Sequence, residues 1–592
     1  MHGCHGRYLR IDLSAGTAEH VAIDSAISRA LLGGVGLGTW LLAREAPVGV
    51  SPLAPEAPLV FAFSPLVGTG ITTSAKFAVV AKSPLTGLVC DALASSHFAI
   101  AGKRMGVDAI VVVGACAEPS EWVGGRLRRT TWWGRSAEET GQGLAGEGSV
   151  AAIGIAGEHL VRYATISADG RHAGRGGLGA VMGAKQLKAL VVAGDRETPV
   201  ADPEALARRA ADLRARAAGP ATAKYRELGT VGNLLAFDRL GALPTRNFQA
   251  SHFEGAARLA PERWSGERTH RRATCAHCTI GCEQRYASTR DRDRPIRIEY
   301  ESQFALGPLC GVDDPDAVIE ASAACDVLGL DTISTGGTLA FAMECGERGE
   351  LEGGPRFGED LLPWLDAIAR RRDLGDRLAE GSRRLAQEIG GDALARAPQV
   401  KGLEMPGYEP RSLQTMALGL AVGTRGADHN RSGAYEADFS DQVDRLRGDA
   451  RSVAAAVASE DRAALLDSLV LCKFVRGVFD DLEDETAAIL REVVGGSFDA
   501  DEVRAIARRV VDLRKALNMR EGWQPTDDGL PARFTDEPLA SGPAKGVRLP
   551  GERLAEMIRS YNRARDWEDD GRVPTERLAA LERELGLRLQ AG

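Results

Sequence analysis

Three cysteines crowd into the stretch "RRATCAHCTIGCEQRY", where Cys275, Cys278 and Cys282 form a C-x2-C-x3-C run. Thiolates at that density hold a metal, a disulfide with one thiol left over, or nothing. Tetrahedral zinc normally takes two C-x2-C pairs, or one pair plus two histidines a short way on, and no second pair exists here. His277 lies between two of the cysteines, too close in sequence for all of them to reach one ion without strain. An iron–sulfur cluster suits a tight run with a remote fourth cysteine, because its irons face a loop and a distant segment at once. The spacing therefore favours a cluster over zinc and leaves the fourth ligand open. The gaps run in the reverse order from the C-x3-C-x2-C of radical enzymes, which weakens that reading.

A second chemical stretch is "GRGGLG", Gly174 to Gly179, a G-x-G-x-x-G match with Asp195 about twenty residues on. A dinucleotide fingerprint needs a strand leading directly into its first glycine, yet "ADGRHA" follows the apolar run "RYATIS". A phosphate cradle flanked by Arg171 and Arg175 fits better, with small residues leaving backbone N–H groups accessible. The plain alternative is a glycine-rich connection packed tightly in a sheet.

The elements that position these groups come in two styles. From Arg7 to about Val200, short runs such as "RYLRIDL", "PLVFAFS", "KFAVVA", "DAIVVVG" and "LVRYATIS", broken by Gly, Pro and Ser, predict an all-β or β-dominated region. After "TPVADPEALARRAADLRARAA" the pattern turns to Ala, Leu, Arg and Glu at helical spacing. One helix is predicted from Asp314 as N-cap, with Pro315 at its first position, to near Gly329. A boundary is predicted around "APQVKGLEMPGYEPR", and no repeat of fixed period is present.

At 592 residues the chain exceeds one hydrophobic core, and its 44% hydrophobic and 26% charged content is that of a globular protein. A net charge of -9 argues against a nucleic-acid partner. The start lacks an apolar signal region, and nowhere do about 18 apolar residues run together, so a cytoplasmic protein with no membrane association is expected. In that reducing compartment ten cysteines are not a disulfide framework. Cys4, Cys90, Cys116, Cys310, Cys325 and Cys345 read as buried small hydrophobes.

Eight separated stretches, taken in order, resemble one family, the tungsten-containing aldehyde:ferredoxin oxidoreductases: "GRYLRIDLSAGT", "KSPLTG", "DAIVVVG", "GRGGLGAVMGAKQLKAL", "CAHCTIGC", "EYESQFALG", "CDVLGLDTISTGGTLAFAME" and "LLDSLVLC". The resemblance implies an α+β fold. An N-terminal β-sheet domain (1–199) forms a saddle for a bis-pterin cofactor. Two mainly α-helical domains follow, 200–400 with the cysteine loop and a first pterin motif, and 401–592 with a second motif. It implies tungsten, or molybdenum, held by two pyranopterins, and a [4Fe-4S] cluster on Cys275, Cys278, Cys282 and Cys472. The pterin motifs D-x-x-G-L-(D/C) match "DVLGLD", Asp326 to Asp331, and "DSLVLC", Asp467 to Cys472, where Val470 replaces the usual Gly. Asp326 and Asp467 would accept hydrogen bonds from pterin ring N–H groups. Arg171, His172, Gly174, Arg175, Leu330, Asp331, Arg425 and Lys473 fall at other family cofactor positions.

Some positions depart from the family. Lys76 replaces the arginine bridging cluster and pterin, which keeps the charge and loses the bidentate fork. Leu93 and Ser95 replace the usual Asn and Gly near the pterin phosphates. The family's Mg2+ between those phosphates is partly held by backbone carbonyls, here at Leu93 and His172. The E-x-x-H iron site between subunits is missing, since Ala323 follows Glu320, so a homodimer must close without that metal.

The family's acid–base pair is matched by Glu301 and His429. His429 is expected to titrate near neutrality and Glu301 to be raised towards it by desolvation. The polar loop "RGADHNRSGAYE" leads us to expect Arg431, Tyr435 and Glu436 to meet a polar carbonyl substrate or line a water channel. The implied reaction is oxidation of an aldehyde, with ferredoxin or another iron–sulfur protein accepting electrons. The alternatives are a sibling reductase of benzoyl-CoA-reductase type, a cofactor-free relative and, resting only on "GRGGLG", a nicotinamide dehydrogenase.

Overall fold

A computed structural model describes residues 1–264 and 266–590. The first third is built on two six-stranded sheets. One runs Thr17–Ala22, Arg7–Asp12, Ala109–Val113, Leu59–Ala62, Lys76–Lys82, Val89–Ser95; the other runs Arg171–Ala173, Ile166–Ala168, Ser149–Ile153, Leu187–Val192, Ser120–Val123, Arg126–Arg129. Leu59–Ala62 and Ala109–Val113 are buried at every position, which is why they read as unbroken apolar runs rather than alternating ones.

This region is sheet-based as expected, but it is not all-β. Helices such as Gly34–Glu45 and His97–Arg104 are threaded between the strands. Gly34–Glu45 is buried from Gly34 to Ala43 and so shows no polar face to betray its period. Its glycines permit close approach: a Cβ on Gly34 would lie 2.3 Å from the Asp467 carbonyl oxygen. The helix is thereby seated against the second D-x-x-(G/V)-L turn.

Beyond residue 200 the chain is mainly helical, with two antiparallel sheets the helical reading did not foresee: a two-stranded one of Gln399–Val400 and Leu403–Glu404, and a three-stranded one of His270–Ala273, Glu283–Ser288 and Asp291–Ile298, in that order. The cysteine run is the connection between the first two strands of the three-stranded sheet. The α+β architecture is as expected.

The predicted helix is present as Pro315–Leu328, capped by the Asp314 carboxylate accepting from Asp316 N–H and ended by Gly329 at φ 81°. Leu330 N–H donates to the Cys325 carbonyl, closing the last turn. Helix Ala450–Ser468 ends the same way, with Leu471 N–H donating to Leu466 O and Val470 in the glycine position at φ 51°. Both motifs are thus one device: an Asp in a final helical turn, a left-handed residue, and a buried Leu. A β-branched residue at positive φ is an outlier, held here because Val470 is fully buried. Gly329→Ala is expected to lower stability by about 1–2 kcal/mol, the cost of a Cβ in the left-handed region. An unchanged urea midpoint would contradict this reading of the turn.

Candidate functional site

The two sheets, the glycine loop and the end of helix Pro315–Leu328 meet around a cavity of about 340 Å³. Of the sequence-predicted positions, Leu93, His172, Gly174, Arg175, Glu301, Asp326, Leu330, Asp331, Arg425, His429, Arg431 and Tyr435 line it. Lys76 and Ser95 pair across two strands to one side, opposite each other in register. Arg171 is turned away into an ion pair with buried Glu283. Asp467 and Lys473 lie behind Arg431, Lys473 Nζ donating to Asp467 Oδ2 at 3.1 Å. A second groove of about 630 Å³ shares His172, Arg297 and Asp326 with the cavity.

The glycine loop divides between its two readings. A Cβ on Gly176 would meet Cys90 Sγ at 2.1 Å and one on Gly177 the Arg162 carbonyl at 1.9 Å, so these are packing glycines. At Gly174 the added atom would meet nothing nearer than 4.0 Å, and there the backbone is open to the cavity. One part of the sequence reading needs correction: strand Arg171–Ala173 does lead directly into Gly174. The dinucleotide fingerprint still fails, because Arg171–Ala173 and Leu187–Val192 run in opposite directions in one sheet, whereas the βαβ unit requires parallel strands.

A buried chain of alternating charges joins the two motifs. Arg175 reaches Asp331 at 3.4 Å and Asp428 at 3.2 Å. Asp428 pairs with Arg425, which donates to the Asp91 carbonyl oxygen. The Asp91 carboxylate holds Arg431 and Arg514, both at 2.6 Å, and Arg431 reaches Asp467. Burial pushes the Asp91 carboxyl up, but Arg431, Arg514 and Arg425 outweigh it and hold it below the usual range. His172 Nε2 lies 3.0 Å from Asp326 Oδ1. Asp91, Asp428 and Arg514 were not foreseen; each stands in an ordinary-looking strand, loop or helix, and only folding brings them together. Arg431, expected to meet substrate or line a water channel, does line the cavity, and its guanidinium is at the same time engaged by Asp91 and Asp467. Glu436 pairs with Arg476, which also donates to Tyr435 Oη at 3.0 Å, so the loop offers fewer free polar groups than its sequence suggests.

Glu301 and His429 face each other, Oε1 to Nε2 at 3.6 Å. Gly407 N–H donates to Glu301 Oε2 at 3.0 Å, while Glu301 Oε1 and His429 Nδ1 are buried with no hydrogen-bond partner. Burial raises Glu301 to about 8, as anticipated. His429 departs from expectation: burial pushes it down to about 3, so it is neutral throughout the working range. Its burial, to which the stacked ring of Tyr408 contributes, could not be read from its neighbours in sequence, although Asp428, Arg425 and Arg431 among those neighbours also act on it.

The cysteines sort by burial. Cys4, Cys90, Cys116, Cys310, Cys325 and Cys345 are buried, and Cys275, Cys278, Cys282 and Cys472 are half-exposed. Burial, then the charge of Cys472, lifts the Cys278 thiol to about 11. Burial and Cys472 also raise Cys282, so the loop thiols and the distant one share a field. Thr73, unforeseen, ties the two together: its N–H donates to His277 O at 3.1 Å and its hydroxyl accepts from Cys472 N–H at 3.4 Å. Among the described residues no three His, Cys, Asp or Glu side chains converge on a single metal ion. Four thiols binding the corners of an iron–sulfur cube stand farther apart than the ligands of one ion.

Buried arginines at the wall (Arg175, Arg425 and Arg431), an open backbone at Gly174 and unpartnered polar atoms on Glu301, His429 and Thr165 fit a large ligand rich in hydrogen-bonding groups.

Comparison with known proteins agrees with this geometry. The family model for the aldehyde ferredoxin oxidoreductase N-terminal domain matches residues 8–194, and that for domains 2 and 3 matches 208–583. The chain is 36% identical over 614 residues to the tungsten-containing aldehyde ferredoxin oxidoreductase of Pyrococcus furiosus, covering 98% of this chain and 99% of that one. It is also 36% identical to the protein of the same description from Thermococcus kodakarensis, with the same coverage. Its fold is similar to a chain of the active site complex BamBC of benzoyl coenzyme A reductase, with TM-score 0.81, 24% identity and coverage of 98% of this chain and 97% of that chain.

Proposed function

The chain belongs to the aldehyde ferredoxin oxidoreductase family, and from that premise we propose that it oxidises an aldehyde to the carboxylic acid. It passes the two electrons through a [4Fe-4S] cluster to ferredoxin or another iron–sulfur protein. The observation that carries the proposal is the Glu301–His429 pair, facing each other across 3.6 Å with one orphaned polar atom each at the cavity wall. Catalytic acid–base pairs are placed in this way.

Tungsten, or molybdenum, on two pyranopterins would accept the electron pair of the oxidation. Asp326 and Asp331 would hold one pterin and Asp467 the other, with Arg175, Arg425 and the Gly174 backbone toward the phosphates and Lys76 between cluster and pterin. The carbonyls of Leu93 and His172 would face a Mg2+ between those phosphates. Cys275, Cys278, Cys282 and Cys472 would bind the cluster. Glu301, protonated at neutral pH, donates a hydrogen bond to the substrate carbonyl oxygen and makes the carbon a better electrophile. Neutral His429 accepts a hydrogen bond from the incoming water and orients it. The buried ion chain keeps both motifs in register around them. The same reading divides the chain into domains 1–199, 200–400 and 401–592 and makes it a cytoplasmic enzyme, a homodimer closing without a bridging iron. No helix among the described residues is long and apolar enough to cross a membrane.

Anaerobically purified protein should contain tungsten or molybdenum, pterin and about four irons per chain, and reduce a viologen dye with members of an aldehyde panel. Cys472→Ala should lose most of the iron while leaving the pterin. Stoichiometric zinc with no iron would rule the reading out.

A further inference from the structure

Electrons leaving the cluster must cross to a carrier, and the surface beside the cysteine loop has an unusual charge. Residues 268–282 hold Arg268, Arg271 and Arg272 and no Asp or Glu, in a chain whose net charge is -9. His270–Ala273 is the outer strand of its sheet, with one edge unpaired, and His270, Arg271 and Arg272 are exposed. In register, Arg271 stands opposite Arg285, and Arg285 opposite Arg297. Like charges directly opposite on adjacent strands are unfavourable. Glu283 answers Arg285, and Glu299 lies 3.8 Å from Arg297. Among the described residues Arg271 and Arg272 form no ion pair: Glu283, opposite Ala273, is taken up by Arg285 and Arg171, and Asp291 and Asp293 lie towards the far, turn end of the other two strands. Three of the four half-exposed cysteines and exposed His277 follow immediately on this strand.

We propose that the edge strand His270–Ala273, through Arg271 and Arg272, is the docking surface for an acidic iron–sulfur electron carrier. The proposal rests on the redox reading above. The unanswered positive charge selects a negatively charged partner, and the adjoining loop brings the partner's cluster against the one held by Cys275, Cys278 and Cys282. Each encounter moves one electron, reducing one oxidised carrier, so each aldehyde oxidised requires two.

The test compares the purified holoenzyme with the double variant Arg271→Glu, Arg272→Glu, using a small acidic low-potential ferredoxin. Binding is followed by calorimetry at about 0.05 and about 0.3 M salt, and turnover with ferredoxin or with saturating viologen dye. The variant should raise KM for ferredoxin and its dissociation constant roughly tenfold or more and flatten the salt dependence. Viologen-linked turnover should stay at the parent rate. The same reversal at Arg126 and Arg129, on a strand of another sheet, should leave ferredoxin affinity within about twofold. Equal losses from both pairs would mean net charge alone matters, and unchanged affinity in the first pair would place docking elsewhere; either overturns the proposal. If the double reversal fails to fold, Arg271→Gln with Arg272→Gln should give a smaller loss in the same direction, and no loss would count against it. A parent that reduces viologen but binds no ferredoxin removes the docking surface, while one that does neither removes the redox reading beneath it.

Discussion

Glu301→Gln is expected to retain metal, pterin and cluster and to lose about 10² to 10⁴ in turnover, the usual range for removing a positioned acid or base. The amide keeps the shape and the bond from Gly407 N–H, so cofactor content should not change. It cannot shed or regain a proton. In the parent, burial raises Glu301 from 4.5 to about 8, so activity should fall as pH rises through about 8. Stability should follow the same group with a definite sign. Between 4.5 and about 8 the folded protein holds a proton that the unfolded chain releases, so stability declines with rising pH by about 1.4 kcal/mol per unit at most. The glutamine variant has no such slope. Near pH 8 it should therefore unfold at a higher temperature than the parent while turning over far more slowly. A variant that oxidises aldehyde at the parent rate, with cofactors intact, would show that Glu301 is not the group whose proton matters.

His429→Asn would test a different role, since burial pushes His429 down to about 3 and leaves it neutral near pH 7. The sequence could suggest the pair but not its protonation. Histidine's ordinary value lies near neutrality, and the displacement comes first from burial, in which the ring of the distant Tyr408 packs on His429, and then from Arg175, Arg425 and Arg431, of which only Arg175 is remote in sequence. Local signals fared better. Asp314, Pro315 and Gly329 fixed both ends of a helix because capping is decided within a few residues. The sheet around the cysteines escaped notice because Asp291–Ile298 alternates Arg and Asp over its exposed half and carries isoleucines only at Ile296 and Ile298. A polar edge hairpin leaves no hydrophobic period to find. The fourth cysteine, Cys472, came from family resemblance alone. Nothing in "LLDSLVLC" marks it apart, and Thr73, which stitches it to the loop, is recognisable only once both are in place.

Asp91 shows most clearly what a linear reading leaves out, and its replacement should have the largest effect on the fold. In "CDALASS" it looks like a strand residue with an outward carboxylate, yet it is 1% exposed. Its carboxylate holds Arg431 and Arg514 at 2.6 Å each, and its carbonyl takes a bond from Arg425, 334 residues away. Asp91→Ala leaves buried guanidiniums without their counter-charge, and removing one partner of a buried pair costs about 3–5 kcal/mol. Arg425 and Arg431 reach towards both motif halves, so the loss should extend to tungsten and pterin content measured on the purified variant. Asp91→Asn separates charge from shape. It keeps an oxygen acceptor in the same place but no negative charge, and should recover part of the urea midpoint while leaving pterin content low. Acid should mimic the change in the parent: a carboxyl held below its ordinary value stabilises above the unfolded range and loses that contribution as pH falls through the lower folded value. If Asp91→Ala unfolds at the parent midpoint with full cofactor content, the arginines are held by something other than Asp91, and the ion chain is not what keeps the two motifs in register.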